Sequence, residues 1–228
     1  MSTQRLVVLL EGRSDVAAVR ALLQDRPPSV PVGQLDLVDM GGVTNIRRHL
    51  AHLVNGSAAA PASAPAPAPA PAPADNGSPQ GVKRVLGVCD AGEASFFARA
   101  LRSIGHPVAS VQDMAALGFH VCDQDLEDEL IRALGADRVI DVLADLELLD
   151  QFATFRRQPT WTGRPVTDQL RRFAGTTSGR KVLVAQALAT AMAPHQAPPP
   201  LAALMAHIEA AATDPGAGPA VRRFPTGH

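Results

Sequence analysis

Seven residues stand where this sequence could do chemistry: Glu11, Asp15, Asp90, Asp123, Asp125, Glu127 and Lys181. Glu11 closes the apolar run RLVVLL, Asp90 closes RVLGVC, and Asp123, Asp125 and Glu127 follow LGFHVC. Asp15 lies four residues past Glu11, so one helical turn brings it back towards the same place. So many carboxylates cannot converge without a cation to offset their repulsion. Oxygen donors with no histidine or cysteine nearby suit Mg2+ or Mn2+ rather than zinc. The competing account is that the acids cap helices, as Asp and Glu do in first turns, and for Asp15 or Asp128 alone that account is the simpler one. Glu11 and Asp90 sit directly at the ends of apolar runs, where capping does not require them.

Lys181 is notable because lysine is scarce. Lys83 is the only other one among 21 cationic side chains. Where arginine is the default cation, a retained lysine hints at a compact point charge or a proton-transferring amine. Around it, Arg156, Arg157, Arg164, Arg171, Arg172 and Arg180 lie in a stretch whose only acid is Asp168, a local basic face able to meet phosphates despite a net charge of −1. A solvated helical surface accounts for the same arginines nearly as well. Trp161 reads first as a core residue and second as a ring for stacking on a base. The histidines are scattered, with no spacing that suggests a metal site.

The elements that must position these residues follow from the patterning. Strands are expected at Arg5–Leu10, Leu35–Asp39, Arg84–Cys89 and Leu117–Cys122. Helices are expected from Ser14 as cap through Leu23, at Thr44–Leu53, at Ala94–Ile104, and after the acids at 123–127. Later helices are expected at Val139–Phe155, Val166–Phe173, Ser178–Met192 and Leu201–Ala212, with a frayed tail from Asp214. Strands alternating with helices imply a parallel sheet, whose ligands bind at the carboxyl ends of the strands. Residues 55–81, which alternate Ala with Pro, read as an extended, solvated and disordered insertion within one domain.

Composition excludes several alternatives. With 228 residues and 46% hydrophobic residues, the chain can bury one good core and hardly two. No apolar run is long enough to span a membrane, and Glu11 and Arg13 interrupt the opening run before a cleavage-like site, so a cytoplasmic location is expected. Cys89 and Cys122 read as buried reduced thiols. The sequence has no tyrosine, which closes any reaction needing a tyrosine nucleophile.

Five segments in order resemble the TOPRIM domain of the OLD (overcoming lysogenisation defect) family of nucleases. LVVLLEGRSDVAAVRALL resembles the first motif, with its strand-end glutamate, glycine and later aspartate. VDMGGVTNIRRHL is similar to the glycine pair after the second strand, VLGVCDAGEASFFARAL to the acidic motif after the third, FHVCDQDLEDELIRALG to the DLE segment, and TSGRKVLVAQALA to the late lysine helix. TOPRIM domains usually carry DxD after the third strand. Here Asp90 is followed by Ala91 and Gly92, with Glu93 one place later, so either Glu93 reaches around or a second metal leans on the DLE segment.

The resemblance implies an α/β, TOPRIM-like (Rossmann-like) parallel sheet flanked by helices, with a helical C-terminal extension. The domain would cover residues 1–193, with 194–228 forming a helix and flexible tail. It implies a Mg2+- or Mn2+-dependent endonuclease using one or two ions. Glu11 and Asp90 would hold one metal, Asp15, Asp125 and Glu127 would hold or orient a second, and the catalytic residues would be Glu11 and Lys181, the lysine neutralising charge on the scissile phosphate or the transition state. Arg171, Arg172 and Arg180 would contact nucleic acid, DNA in preference to RNA. Other TOPRIM bearers lack fit. A topoisomerase needs tyrosine, a recombination mediator of this fold needs four zinc-binding cysteines, and a primase needs a zinc module and more length. The ATPase often joined to the OLD nuclease is not expected in this chain, because GTTSGRK lacks the GxxxxGK[ST] spacing. The alternative is a non-catalytic or weakly catalytic nucleic-acid- or metal-binding TOPRIM protein acting with a separate ATPase partner.

Overall fold

The computed structural model describes residues 5–25, 34–55 and 83–213. Apart from Asn55, the Ala/Pro-rich insertion lies outside the described residues, as does the tail beyond 213. Four strands, β1 (Arg5–Leu10), β2 (Leu35–Asp39), β3 (Lys83–Cys89) and β4 (Phe119–Val121), form one parallel sheet in the order β2-β1-β3-β4. The helices are α1 (Arg13–Asp25), α2 (Ile46–Asn55), α3 (Ala94–Ser103), α4 (Val111–Ala116), α5 (Leu126–Leu134) and α6 (Ala136–Asp145). They continue with α7 (Leu149–Arg156), α8 (Val166–Ala174), α9 (Ser178–Thr190) and α10 (Pro199–Thr213).

The two-residue period of a strand explains why the central runs are apolar throughout. Leu6, Val8 and Leu10 of β1 point into one core with Leu86 and Val88 of β3, α1 and the helices from α5 onward. Val7 and Leu9 point the other way, into a second core with Val85, Phe97, Leu101, Met114 and Phe119 under α2, α3 and α4. The fold is therefore three layers, with helices on both faces of the sheet. α1 makes its most extensive packing with α9, which is the contact that brings Lys181 to the site. Leu201, Leu204 and Ile208 of α10 join the same core as α1. β3 and β4 approach closely: a Cβ at Gly87 would meet the Phe119 ring at 2.8 Å, and one at Gly118, where φ is +82°, would collide with Leu86 Cδ2.

Four readings differ from the sequence-based expectation, the first being β4, which spans Phe119–Val121 and not Leu117–Cys122 because the chain is still turning at Gly118, φ +82°. α4 is an additional short helix, started by a capping box in which Ser110 accepts from the Asp113 amide while Asp113 accepts from the Ser110 amide. Ser14 does not cap α1. It lies inside the first turn, buried, and donates to Asp15, while Asp15 reaches back to accept from the Gly12 amide at 3.1 Å. The expected single helix Val139–Phe155 is two, because the chain turns at Glu147 with φ of +57°. There Leu148 N donates to Leu143 O and Glu147 N to Ala144 O, the paired bonds of a helix C-terminus that ordinarily uses glycine. Glu147 is exposed, so its side chain brings strain and no packing. Glu147→Gly is expected to stabilise the protein by about 1 kcal/mol, raising the melting temperature by roughly 2–4 °C in a chain of this size. An unchanged or lower melting temperature would show that the turn is unstrained.

Candidate metal centre and its basic wall

β1 and β3 are neighbours in register, with Leu9 opposite Gly87, so the residues that follow them, Glu11 and Asp90, emerge side by side. Glu11 is held by its own backbone. Gly42 N donates to Glu11 O at 3.0 Å and Met40 N to Leu10 O at 2.9 Å, folding the β2–α2 turn over the end of β1. Gly42 has φ of +107°, a conformation open to glycine, and the side-chain amide of Asn45 ties the turn by donating to Met40 O and Gly41 O. Asp90 accepts from Leu126 N at 3.2 Å, which fixes it to the start of α5. Residues 91–93 then make a single 3-10 turn, in which positions three apart eclipse, and Glu93 swings back beside Asp90. Glu11, Asp90 and Glu93 offer one oxygen each within 4.8 Å of one another. Of the two alternatives left by the missing DxD aspartate, the geometry is that of Glu93 reaching around.

Burial and neighbouring charge push two carboxyls of this trio upward. Asp90 is pushed up to about 7, first by burial and then by the charges of Asp15, Glu11, Asp125 and Glu127. Glu93 is pushed up to about 8 by burial, by a hydrogen bond shared with Glu11, and by the charges of Glu11, Asp90 and Asp15. Glu93 Oε2 is sealed from solvent with no hydrogen-bond partner among the described residues. Three converging half-buried carboxylates, one with an orphaned oxygen, fit a hard divalent cation.

The other acids singled out by sequence do not join this trio. Asp15 stands next to it, its carboxyl raised by burial and by Glu11 against the opposing pull of Lys181 and the Gly12 amide. Asp125 caps α5 by accepting from Asp128 N at 2.8 Å and takes a two-nitrogen grip from Arg171, at 2.8 Å from Nε and 2.5 Å from Nη2. Glu127, 3% exposed, faces Lys181 Nζ at 3.3 Å and is pushed up to about 7, burial outweighing the lysine. Burial lowers the Lys181 ammonium, but Glu127, Asp15 and Asp90 together hold it above its ordinary value. Asp123 is further out, in an ion pair with Arg132.

The arginines separate. Arg171, Arg172 and Lys181 line one cavity, together with Trp161, Asp125 and Glu127. Arg180 lies elsewhere, bonded to Gln151 and resting over the Phe173 ring at 4.2 Å. Two further features were invisible to spacing. Gln169, 3% exposed, binds the backbone of the loop carrying Trp161, and the rings of His120 on β4 and His207 on α10 stack with nitrogens 3.0 Å apart. The histidines lie 87 residues apart in sequence, so only the tertiary fold pairs them. Cys89 and Cys122 are buried and free, their thiols pushed up chiefly by burial.

A stability test follows from Asp90. Its folded-state value of about 7 lies above the ordinary 3.8, so between these values the folded protein holds a proton the unfolded chain has released. Asp90 therefore costs stability as pH rises through this window, and the cost is complete above it. In EDTA, Asp90→Asn is expected to melt several degrees above wild type at pH 8, with the gain fading towards pH 4. Added Mn2+ should raise the wild type more than the variant. A gain independent of pH would rule out the carboxylate as its origin.

Fold and site together define an α/β domain with a carboxylate centre at the ends of its parallel strands. Solved structures similar to it include C-terminal regions of OLD proteins. That of Xanthomonas campestris pv. campestris matches with a TM-score of 0.58 at 18% identity, covering 92% of this chain and 97% of that one. That of Burkholderia pseudomallei matches with a TM-score of 0.56 at 16% identity, covering 93% and 99%. The chain therefore has the fold of the C-terminal region of OLD proteins. No protein-family model and no curated protein matches the sequence. No described helix is long and apolar enough to cross a membrane.

Proposed function

We propose that the chain is a metal-dependent phosphodiesterase of the OLD TOPRIM type, acting on nucleic acid as an endonuclease. The observation that carries this reading is the trio Glu11, Asp90 and Glu93, three carboxylates converging at the ends of adjacent parallel strands. They would hold one Mg2+ or Mn2+. When bound, such a cation supplies Lewis acidity, acidifying water and offsetting charge on a phosphodiester oxygen. Asp15, beside the trio, would orient the attacking water or share in a second ion. Asp125 and Glu127 are occupied by Arg171 and Lys181, which favours a single ion over two. Lys181 would neutralise charge developing on the phosphate. Arg171 and Arg172 would guide the strand, while Arg180, turned towards Gln151, supports that role less.

The reading is tested by incubating supercoiled plasmid, single-stranded DNA and RNA with the protein in Mg2+, Mn2+ or EDTA. Cation-dependent cleavage of DNA is expected. Calorimetric Mn2+ binding without cleavage of any substrate would support instead a binding protein that works with a separate ATPase. Absence of both would remove the metal centre.

A further inference from the structure

Beside the carboxylates lies a cavity of about 470 Å3 between α5, α8, α9 and the loop of residues 157–165. Its charges do not all cancel. Arg171 is paired with Asp125 and Lys181 with Glu127, whereas Arg172 makes no side-chain hydrogen bond or ion pair among the described residues. The Arg164 guanidinium makes no hydrogen bond or ion pair among the described residues and sits over the Trp161 ring, its carbon 5.8 Å from the centroid, and the remaining acid on the wall is the exposed Asp168. Trp161 is half-buried on the same wall and is set in place rather than loose. Its ring stacks on Phe155 at 5.2 Å, with 28° between planes. The buried amide of Gln169 donates to Trp161 O at 2.8 Å and Arg164 O at 3.0 Å while accepting from Arg156 at 2.7 Å.

A preset aromatic ring, two guanidinium groups without carboxylate partners, and a volume within the range of small-ligand sites suit one nucleotide. With Phe155 stacked on the ring and the Arg164 guanidinium over it, a base takes its place on Trp161 as that guanidinium swings off the ring onto the phosphate, a contact worth roughly 1–3 kcal/mol. The arginines offer planar, paired donors for a phosphate. Bases inside a duplex already have both faces covered by their neighbours, so a base reaches Trp161 only where the strand is unpaired. We propose that this cavity takes one unpaired nucleotide of the substrate strand, its base against Trp161 and its phosphate on Arg164 and Arg172. The assignment of that strand as substrate rests on the phosphodiesterase reading. The cavity then selects single-stranded segments or frayed ends over intact duplex.

The sequence contains one tryptophan and no tyrosine, so the protein's intrinsic tryptophan emission reports Trp161 alone. Short oligothymidylate, thymidine monophosphate and a blunt duplex of equal length are titrated into the full chain in EDTA, where neither metal nor cleavage contributes. Oligothymidylate is expected to change the emission saturably and the duplex to do so only weakly. By anisotropy of labelled oligothymidylate, Arg172→Ala and Trp161→Ala should each weaken binding about tenfold, the scale of one stacking or charged contact. Trp161→Phe, which keeps a ring over Phe155, should retain most of the affinity and guards against a folding defect in the alanine variant. The proposal is overturned if oligothymidylate binds with unchanged emission and unchanged affinity in Trp161→Ala. It is also overturned if duplex binds as well, or if the free nucleotide alone occupies the site. Emission change without cleavage under any metal would sink the phosphodiesterase reading and leave the nucleotide site standing.

Discussion

Lys181→Ala is expected to slow single-turnover cleavage by roughly a hundredfold or more, the usual scale for removing one charge partner of a transition state. Lys181 Nζ lies 3.3 Å from Glu127 at the start of α9, held there by the packing of α9 along α1. Placing a cation in the first turn of a helix opposes the backbone dipole, so helix stability does not explain it. The surrounding acids keep the ammonium protonated despite burial. Mn2+ affinity should remain nearly unchanged in the variant, because the lysine touches Glu127 and not the Glu11, Asp90 and Glu93 trio. Lys181→Arg should also be impaired, since a planar guanidinium cannot occupy the same point. If both variants cut at the wild-type rate with enzyme in excess, Lys181 serves only to neutralise Glu127.

Glu11→Gln is expected to have the larger effect, with cleavage reduced by roughly a thousandfold or more through loss of the cation. Loss of even a supporting group around a metal costs about 10- to 100-fold in affinity, and Glu11 would be a direct ligand. The amide keeps the shape of the side chain, and the backbone bond from Gly42 to Glu11 O is untouched, so the turn should survive. In EDTA the variant should melt at or above the wild type, because one of three repelling carboxylates is gone. With Mn2+ the order should reverse. Isothermal titration with Mn2+ decides the matter, and equal affinity in wild type and variant would exclude Glu11 from the centre.

Much of this arrangement was legible in the sequence because strand ends are fixed by short-range pattern. Arg5–Leu10 and Leu35–Asp39 are recovered to the residue, and the parallel sheet follows from their alternation with helices. That places Glu11 and Asp90 in one crevice without knowledge of any contact. Glu93 needed the 3-10 turn, whose i to i+3 return spacing alone did not specify. The partners of Asp125 and Glu127 were hidden, since local order cannot reveal that Arg171 and Lys181, about fifty residues later, come back to pair with them. The division of Val139–Phe155 was hidden for another reason, a left-handed turn at a glutamate in place of the glycine that would have marked it. Gln169 gave no pattern at all, as a single buried amide has no periodicity.

Both margins of the sheet discourage strand addition by another chain. Among the described residues β4 has three residues, too few to template an extended pairing, and its His120 ring is stacked on His207 of α10. At the far margin β2 carries Asp36, paired with Arg5, and Asp39, whose charges oppose stacking of a second identical strand alongside. Inner strands as continuously apolar as RLVVLL and RVLGVC would be aggregation-prone if exposed, and this sheet keeps them between margins that are short or charged.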